Sequence, residues 1–149
     1  MYHAVLILHS WLRWAALAGV IIVFTRAIRG ASSGAPWSAA DTRWIKGAAH
    51  LVTGQAALGV LLYLLSPYIH RLLADMSATM HDRTARLFAV EHGAVMLLVV
   101  GLCHMGSAIA RKGATDHAKH RRAAIFFGIV ILLMGYAIPW MRPILRFGA

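Results

Sequence analysis

Four long apolar runs of this chain each carry a histidine just inside one end. They are His9 in the first run, His50 in the second, His92 in the third and His120 at the head of the fourth; His104 lies further along the third. An imidazole is costly in hydrocarbon, and where one occurs in a membrane span it is usually functional. Its neutral ring nitrogen is a good ligand for a transition metal. Facing helices that present imidazoles at matched depth are how a four-helix bundle holds a haem, with one planar macrocycle between two axial ligands.

Depth decides which histidines pair. In an up-down bundle the starts of the first and third runs share one face of the membrane, and those of the second and fourth share the other. His9 and His92 each lie five residues into their apolar stretch, counted from Ala4 and Leu87. At about 1.5 Å of rise per residue both sit about 7–8 Å deep. They are the expected ligands of an outer haem. Arg13, four residues after His9, projects from nearly the same face and supplies a cation for a haem propionate. On the other face His50 is expected to pair with His120, with His104 as the alternative. His92 and His104 are separated by twelve residues, about 120° around a helix, which argues against both lying on one inward stripe. His3, His70, His81 and His117 fall in loops or near the terminus and read as ordinary surface residues. Cys103-His104-Met105 offers soft ligands, but adjacent helical residues diverge by about 100° and cannot share one ion, so the triplet reads as packing.

The elements that must position these groups follow from hydropathy. A span takes about 20 mostly apolar residues. Spans are expected over residues 4–28, 43–65, 85–110 and 121–138, giving an all-α membrane protein: a four-transmembrane-helix up-down bundle forming a single integral membrane domain over 1–149. Asp41 or Thr42 is a candidate N-cap for the second helix, and Thr115 or Asp116 for the fourth. Ser66-Pro67 stops the second helix, Arg111-Lys112-Gly113 the third, and Pro139 and Pro143 the fourth. The stretch 68–84 mixes Ile69, Leu72, Leu73, Met76 and Met80 with His70, Arg71, Asp75 and His81. It is too short and polar to span and is expected to lie at the interface between helices two and three. The tail 140–149 has the same interfacial character. Gly47, Gly54 and Gly59 in the second run, with Gly93, Gly101 and Gly106 in the third, permit close packing of helices or of a flat cofactor. Thr53 and Gln55 are expected to hydrogen-bond a neighbouring helix or a cofactor, and Glu91 to pair with Arg13 or Arg86.

Composition excludes much else. The chain has 149 residues, of which 60% are hydrophobic and 13% charged, with a formal net charge of +10. Soluble domains are about 45–50% apolar and about 25% charged. The single cysteine rules out an internal disulfide and a thiolate-held zinc or iron–sulfur cluster. With five acidic residues, no paired intramembrane carboxylates, no Ser/His/Asp grouping and no glycine-rich phosphate loop, hydrolytic chemistry has no candidates. The positive charge does not imply nucleic acid, because the basic residues sit in short loops between apolar runs rather than in a stripe with aromatics. It is read as topology and contact with anionic lipid. Arg26, Arg29, Arg43, Lys46, Arg111, Lys112, Lys119, Arg121 and Arg122 flank the first and third loops; Arg71, Arg83, Arg86, Arg142 and Arg146 lie opposite. The excess sets the loop side in the cytoplasm and both termini in the periplasm. Met1-Tyr2-His3 is not the basic start of a signal peptide, so the first run is expected to be retained. Trp11, Trp14, Trp37, Trp44 and Trp140 fall near the expected interfaces.

Leu8-His9-Ser10-Trp11-Leu12-Arg13-Trp14 resembles the first helix of small bacterial membrane b-type cytochromes, and Ala49-His50-Leu51-Val52-Thr53-Gly54 resembles their second. The chain is similar to short four-span bacterial proteins of the cytochrome b type, in which Val90-Glu91-His92, Ala118-Lys119-His120 and Ile138-Pro139-Trp140 also have counterparts. In di-haem relatives the fourth helix carries a ligand well inside the span; here it has no histidine beyond His120. The resemblance implies one or two b haems in the bacterial inner membrane and electron transfer between a quinone pool and a partner redox protein. The alternative is a non-catalytic accessory subunit of a larger respiratory or photosynthetic complex.

Overall fold

The computed structural model describes residues 1–140; the end of the expected interfacial tail, with Arg142, Pro143 and Arg146, lies outside the described residues. The described residues are almost all helical, with no strand among them. The elements are α1 (Tyr2–Ser33), α2 (Ala39–Leu65), the short helices α3 (Pro67–Ala74), α4 (Met76–His81) and α5 (Arg83–Arg86), a π turn (Leu87–Glu91), α6 (His92–Arg111) and α7 (Asp116–Ala137). Four stretches are long and apolar enough to cross a membrane: α1, α2, the continuous stretch Arg83–Arg111, and α7. The chain is an all-α, four-helix multi-pass membrane protein.

Local chemistry sets the helix ends. Gly34 closes α1 in the left-handed conformation, with φ of 67°, and its N–H bonds the Gly30 carbonyl; glycine adopts that φ without a Cβ penalty. Ser38 caps α2 and Asp41 answers it from the third helical position, a reciprocal capping box. The helix therefore starts three residues before the expected Asp41, whose carboxylate does two jobs: it bonds the Ser38 N–H at 2.8 Å and the Arg26 guanidinium of α1 at 2.7 Å. Thr115 caps α7 as expected. Ser66 caps α3, with Pro67 at its first turn.

Packing follows the order α1–α2–α6–α7 around the bundle, so α1 faces α6 across the axis and α2 faces α7. Each helix contributes small or branched residues at helical spacing: Ala16, Val20, Val23 and Ala27; Ile45, Ala48, Ala49 and Val52; Val99, Cys103 and Ala110; Ala123, Phe127, Val130 and Met134. The alanines let backbones approach closely, which drives helix association where no hydrophobic effect separates protein from lipid. Large apolar side chains such as Leu64, Leu97, Leu132 and Tyr136 point outward and are exposed. That inversion suits a hydrocarbon surround.

Between α2 and α6 the expected interfacial stretch forms three short helices. Ile69 is their main buried apolar anchor. The Thr79 hydroxyl donates to the Leu72 carbonyl at 2.7 Å, tying α4 to α3, and His70 Nε2 donates to the Leu64 carbonyl at 3.0 Å, tying α3 back to α2. In the π turn the His92 N–H reaches the Leu87 carbonyl, five residues back. Such turns re-aim side chains and recur at functional sites.

Removing the α2 cap by Ser38→Ala should cost about 1 kcal/mol of stability, measured by reversible denaturation in detergent micelles, with no change in the far-ultraviolet helical signal.

Candidate functional site

The two histidines at equal depth meet. His9 of α1 and His92 of α6 have ring centroids 6.4 Å apart and planes inclined by 74°. They face each other along the bundle diagonal, where no backbone intervenes. Both line a cavity of about 900 Å³. That volume falls in the range of about 300–1,000 Å³ typical of sites for small molecules and cofactors.

Hydrogen bonds orient each ring. The Ala137 carbonyl of α7 can only accept, so His92 Nδ1 donates to it at 2.8 Å and His92 Nε2 is left with its lone pair. This is how backbone carbonyls fix the tautomer of metal-binding imidazoles. Gln55 of α2 bonds the backbone carbonyl of His9 at 2.9 Å, and its amide nitrogen also lies 3.2 Å from His9 Nε2. His9 Nδ1 is buried with no hydrogen-bond partner among the described residues. Buried polar atoms are nearly always satisfied, so an orphan marks a place for something else.

The separation fits a metal. Two metal–nitrogen bonds of about 2 Å, plus about 1 Å from each nitrogen to its ring centre, put two axial imidazoles about 6 Å apart centre to centre. A third ligand is not offered: among the described residues no group of three or more His, Cys, Asp or Glu could hold an ion. Two facing imidazoles without a third protein ligand suit a cofactor that brings its own equatorial nitrogens. Arg13, at the same depth as the pair, lines the cavity with them.

On the other side of the membrane the structure brings His50 and His104 together, with centroids 5.9 Å apart and planes inclined by 70°. Thr53 spends its hydroxyl hydrogen on the Ala49 carbonyl at 2.9 Å, so it accepts from His104 Nε2 at 2.8 Å. The partner of His50 is thus His104, the alternative, and not His120. α6 is regular from His92 to Arg111, so the angular separation of about 120° between His92 and His104 holds. It has a different consequence from the one expected. His92 faces α1 across the axis while His104 faces α2 at the neighbouring seam, and one helix serves both pairs. Unlike the outer pair, His50 and His104 are exposed on the flank of the bundle.

His120 is elsewhere. It is 2% exposed, 4.9 Å from the Trp37 ring and directly against Gly30. A space of about 10 Å³ beside it, bordered by Arg26 and Asp41, is about enough for one water. Neither ring nitrogen has a partner among the described residues.

Several supporting groups were not assigned these roles from sequence. Gln55 and Thr53 were expected to bond a neighbouring helix; both do so, and in each case the partner is one of the paired histidines. The Ala137 carbonyl carries no sequence signal, since every residue has one. Glu91 pairs with Arg86 at 2.6 Å and accepts from Tyr136 at 3.3 Å, which leaves Arg13 out of that ion pair. Compared with family models, curated proteins and solved structures, the chain matches none.

A Cβ at Gly30 would run into the His120 ring. Gly30→Ala is expected to cost about 1–3 kcal/mol by overpacking, read from thermal unfolding in detergent. The same substitution in a His120→Ala background should cost clearly less, because the obstructing ring is gone.

Proposed function

We propose that this chain is a b-type membrane cytochrome that carries electrons between a quinone pool and a partner redox protein. The observation that carries the reading is the facing pair His9 and His92, 6.4 Å apart in a cavity of about 900 Å³. A bound b haem would supply one-electron chemistry at its iron. The chain's own part is to hold and tune it. His92, fixed by Ala137, would offer its Nε2 lone pair, and His9 would offer Nε2 in exchange for its contact with the Gln55 amide. The groups around the ligands would set its potential together with the ligands themselves. Arg13, which lines the cavity, would supply a cation for a propionate.

His50 and His104 form a second, shallower pair suited to a second haem. Along α6 the two centres are offset by the rise from His92 to His104, about 18 Å. An arrangement of this kind moves electrons across the bilayer, from one membrane face to the other. The excess of basic residues in the α1–α2 and α6–α7 connections supports a reading in which these loops are cytoplasmic, in a bacterial inner membrane, and both termini are outside. A reporter active only in the periplasm, fused ahead of Met1, should then be active, whereas one fused in the α6–α7 loop should be silent.

A second reading, an accessory subunit of a larger redox complex, is favoured by one observation: the His50–His104 pair is exposed at the α2–α6 seam. A neighbouring subunit would cover it and complete a site there.

Detergent-purified protein is expected to show a Soret band that shifts on dithionite reduction. His9→Ala or His92→Ala should remove the outer haem, and His50→Ala or His104→Ala the inner one, each lowering haem content by about half in a pyridine haemochrome assay. His120→Ala should leave content unchanged. Haem-free wild-type protein, or haem content indifferent to His9 and His92, would contradict the reading.

A further inference from the structure

His120 belongs to neither histidine pair, and its surroundings call for a different partner. It is 2% exposed, and neither of its ring nitrogens meets a protein partner among the described residues. The nitrogen-bearing edge of the ring lies against Gly30 of α1, and Trp37 of the α1–α2 loop packs on it at 4.9 Å. Burying a polar group unpaired is costly, and buried polar groups are nearly always bonded to protein or to ordered water.

The space beside the ring decides what can bond it. It measures about 10 Å³ and is bordered by three polar side chains from three helices: Arg26 of α1, Asp41 of α2 and His120 of α7. A space of that size takes one water-sized occupant, in contact with its walls. The Asp41 carboxylate is already engaged. One oxygen accepts two N–H groups of Arg26, and the other accepts the backbone N–H and the hydroxyl of Ser38. Those bonds fill the usual lone-pair sites of a carboxylate. The Arg26 guanidinium keeps further N–H donors, since only Nε and one terminal nitrogen are spent on Asp41. A neutral imidazole offers one lone pair. An occupant must therefore accept from Arg26 and donate to His120. Chloride only accepts, and a cation has no lone pair for a guanidinium. Asp41 also balances the charge of Arg26, so no net charge draws an ion into the space. Water accepts and donates.

We propose that this space is a built site for a single water molecule, which accepts from an N–H of Arg26 and donates to a ring lone pair of His120. The Arg26–Asp41 pair joins α1 to α2; the water carries that bond onward to α7. One polar network then fastens three of the four spans at the end of the bundle away from the outer cavity. The site stands apart from the haem reading and does not depend on it. It gives His120 a positioning role in the frame.

Magic-angle-spinning NMR of the full chain in lipid bilayers, isotope-labelled in its histidine rings and held at mildly alkaline pH, tests the site. His120→Phe identifies the His120 signals by their loss. In the wild type the unprotonated ring nitrogen of His120 should show a cross-peak to a water proton, unchanged when chloride is replaced by gluconate. Ala27 and Ala123 border the space from α1 and α7, so Ala27→Val or Ala123→Val should fill it and remove that cross-peak, while circular dichroism shows the helices intact. The wild-type spectrum remains decisive should neither valine variant fold. A His120 nitrogen without water contact in the folded wild type would overturn the proposal. So would a cross-peak that survives both valine substitutions, or a ring protonated at both nitrogens whose signals follow chloride.

Discussion

In hydrocarbon a polar side chain has only the protein to bond with, and this constraint organises the molecule. Three of the four paired imidazoles are held by a group from another helix of the bundle: His92 by the Ala137 carbonyl of α7, His9 by Gln55 of α2, His104 by Thr53 of α2. Those bonds cost little to form once the helices are packed and would be costly to lose, since a buried donor or acceptor left alone forfeits its full desolvation energy. They also leave particular ring nitrogens without protein partners. His92 and His104 are each held by a donated N–H, which leaves the other ring nitrogen of each with its lone pair.

The bundle is built to leave that space open. Its core of alanines and branched residues is tight toward the α1–α2 and α6–α7 loops, where Arg26 and Asp41 join α1 to α2 and Trp37 covers His120. Toward the opposite end the helices part around the large cavity, and the short helices α3 to α5 lie beside it. The π turn before His92 lets the third span keep Glu91 on Arg86 and Tyr136 while His92 faces His9. The bundle is thus closely packed at one end and holds a cavity of about 900 Å³ at the other.

Much of this was legible in the sequence because membrane physics leaves few choices. Apolar runs of spanning length gave the four helices, and equal depth gave His9 with His92. Depth is linear along a helix, so counting residues was enough. The inner partner was not legible in the same way. Its choice turned on angle, and the angle between His92 and His104 excludes a shared stripe only if both pairs use the same inter-helix face. The bundle order α1–α2–α6–α7 gives α6 two useful faces, and only the packing reveals it. The α2 start was misplaced by three residues because Asp41 is a capping residue in its own right and also the far half of a box begun by Ser38. His120 looked like the partner of His50 by its position at a helix head; the structure instead packs it against Gly30 and Trp37.

The central claim is that His9 and His92 serve as paired axial ligands across the bundle axis. Electron paramagnetic resonance of the oxidised, detergent-purified protein tests it most directly. Two axial imidazoles with strongly inclined planes predict a highly anisotropic low-spin ferric signal that His92→Ala converts to high spin or abolishes at the outer site. A protein without ferric haem signal, or one whose signal is high-spin and indifferent to His92→Ala, would contradict the account.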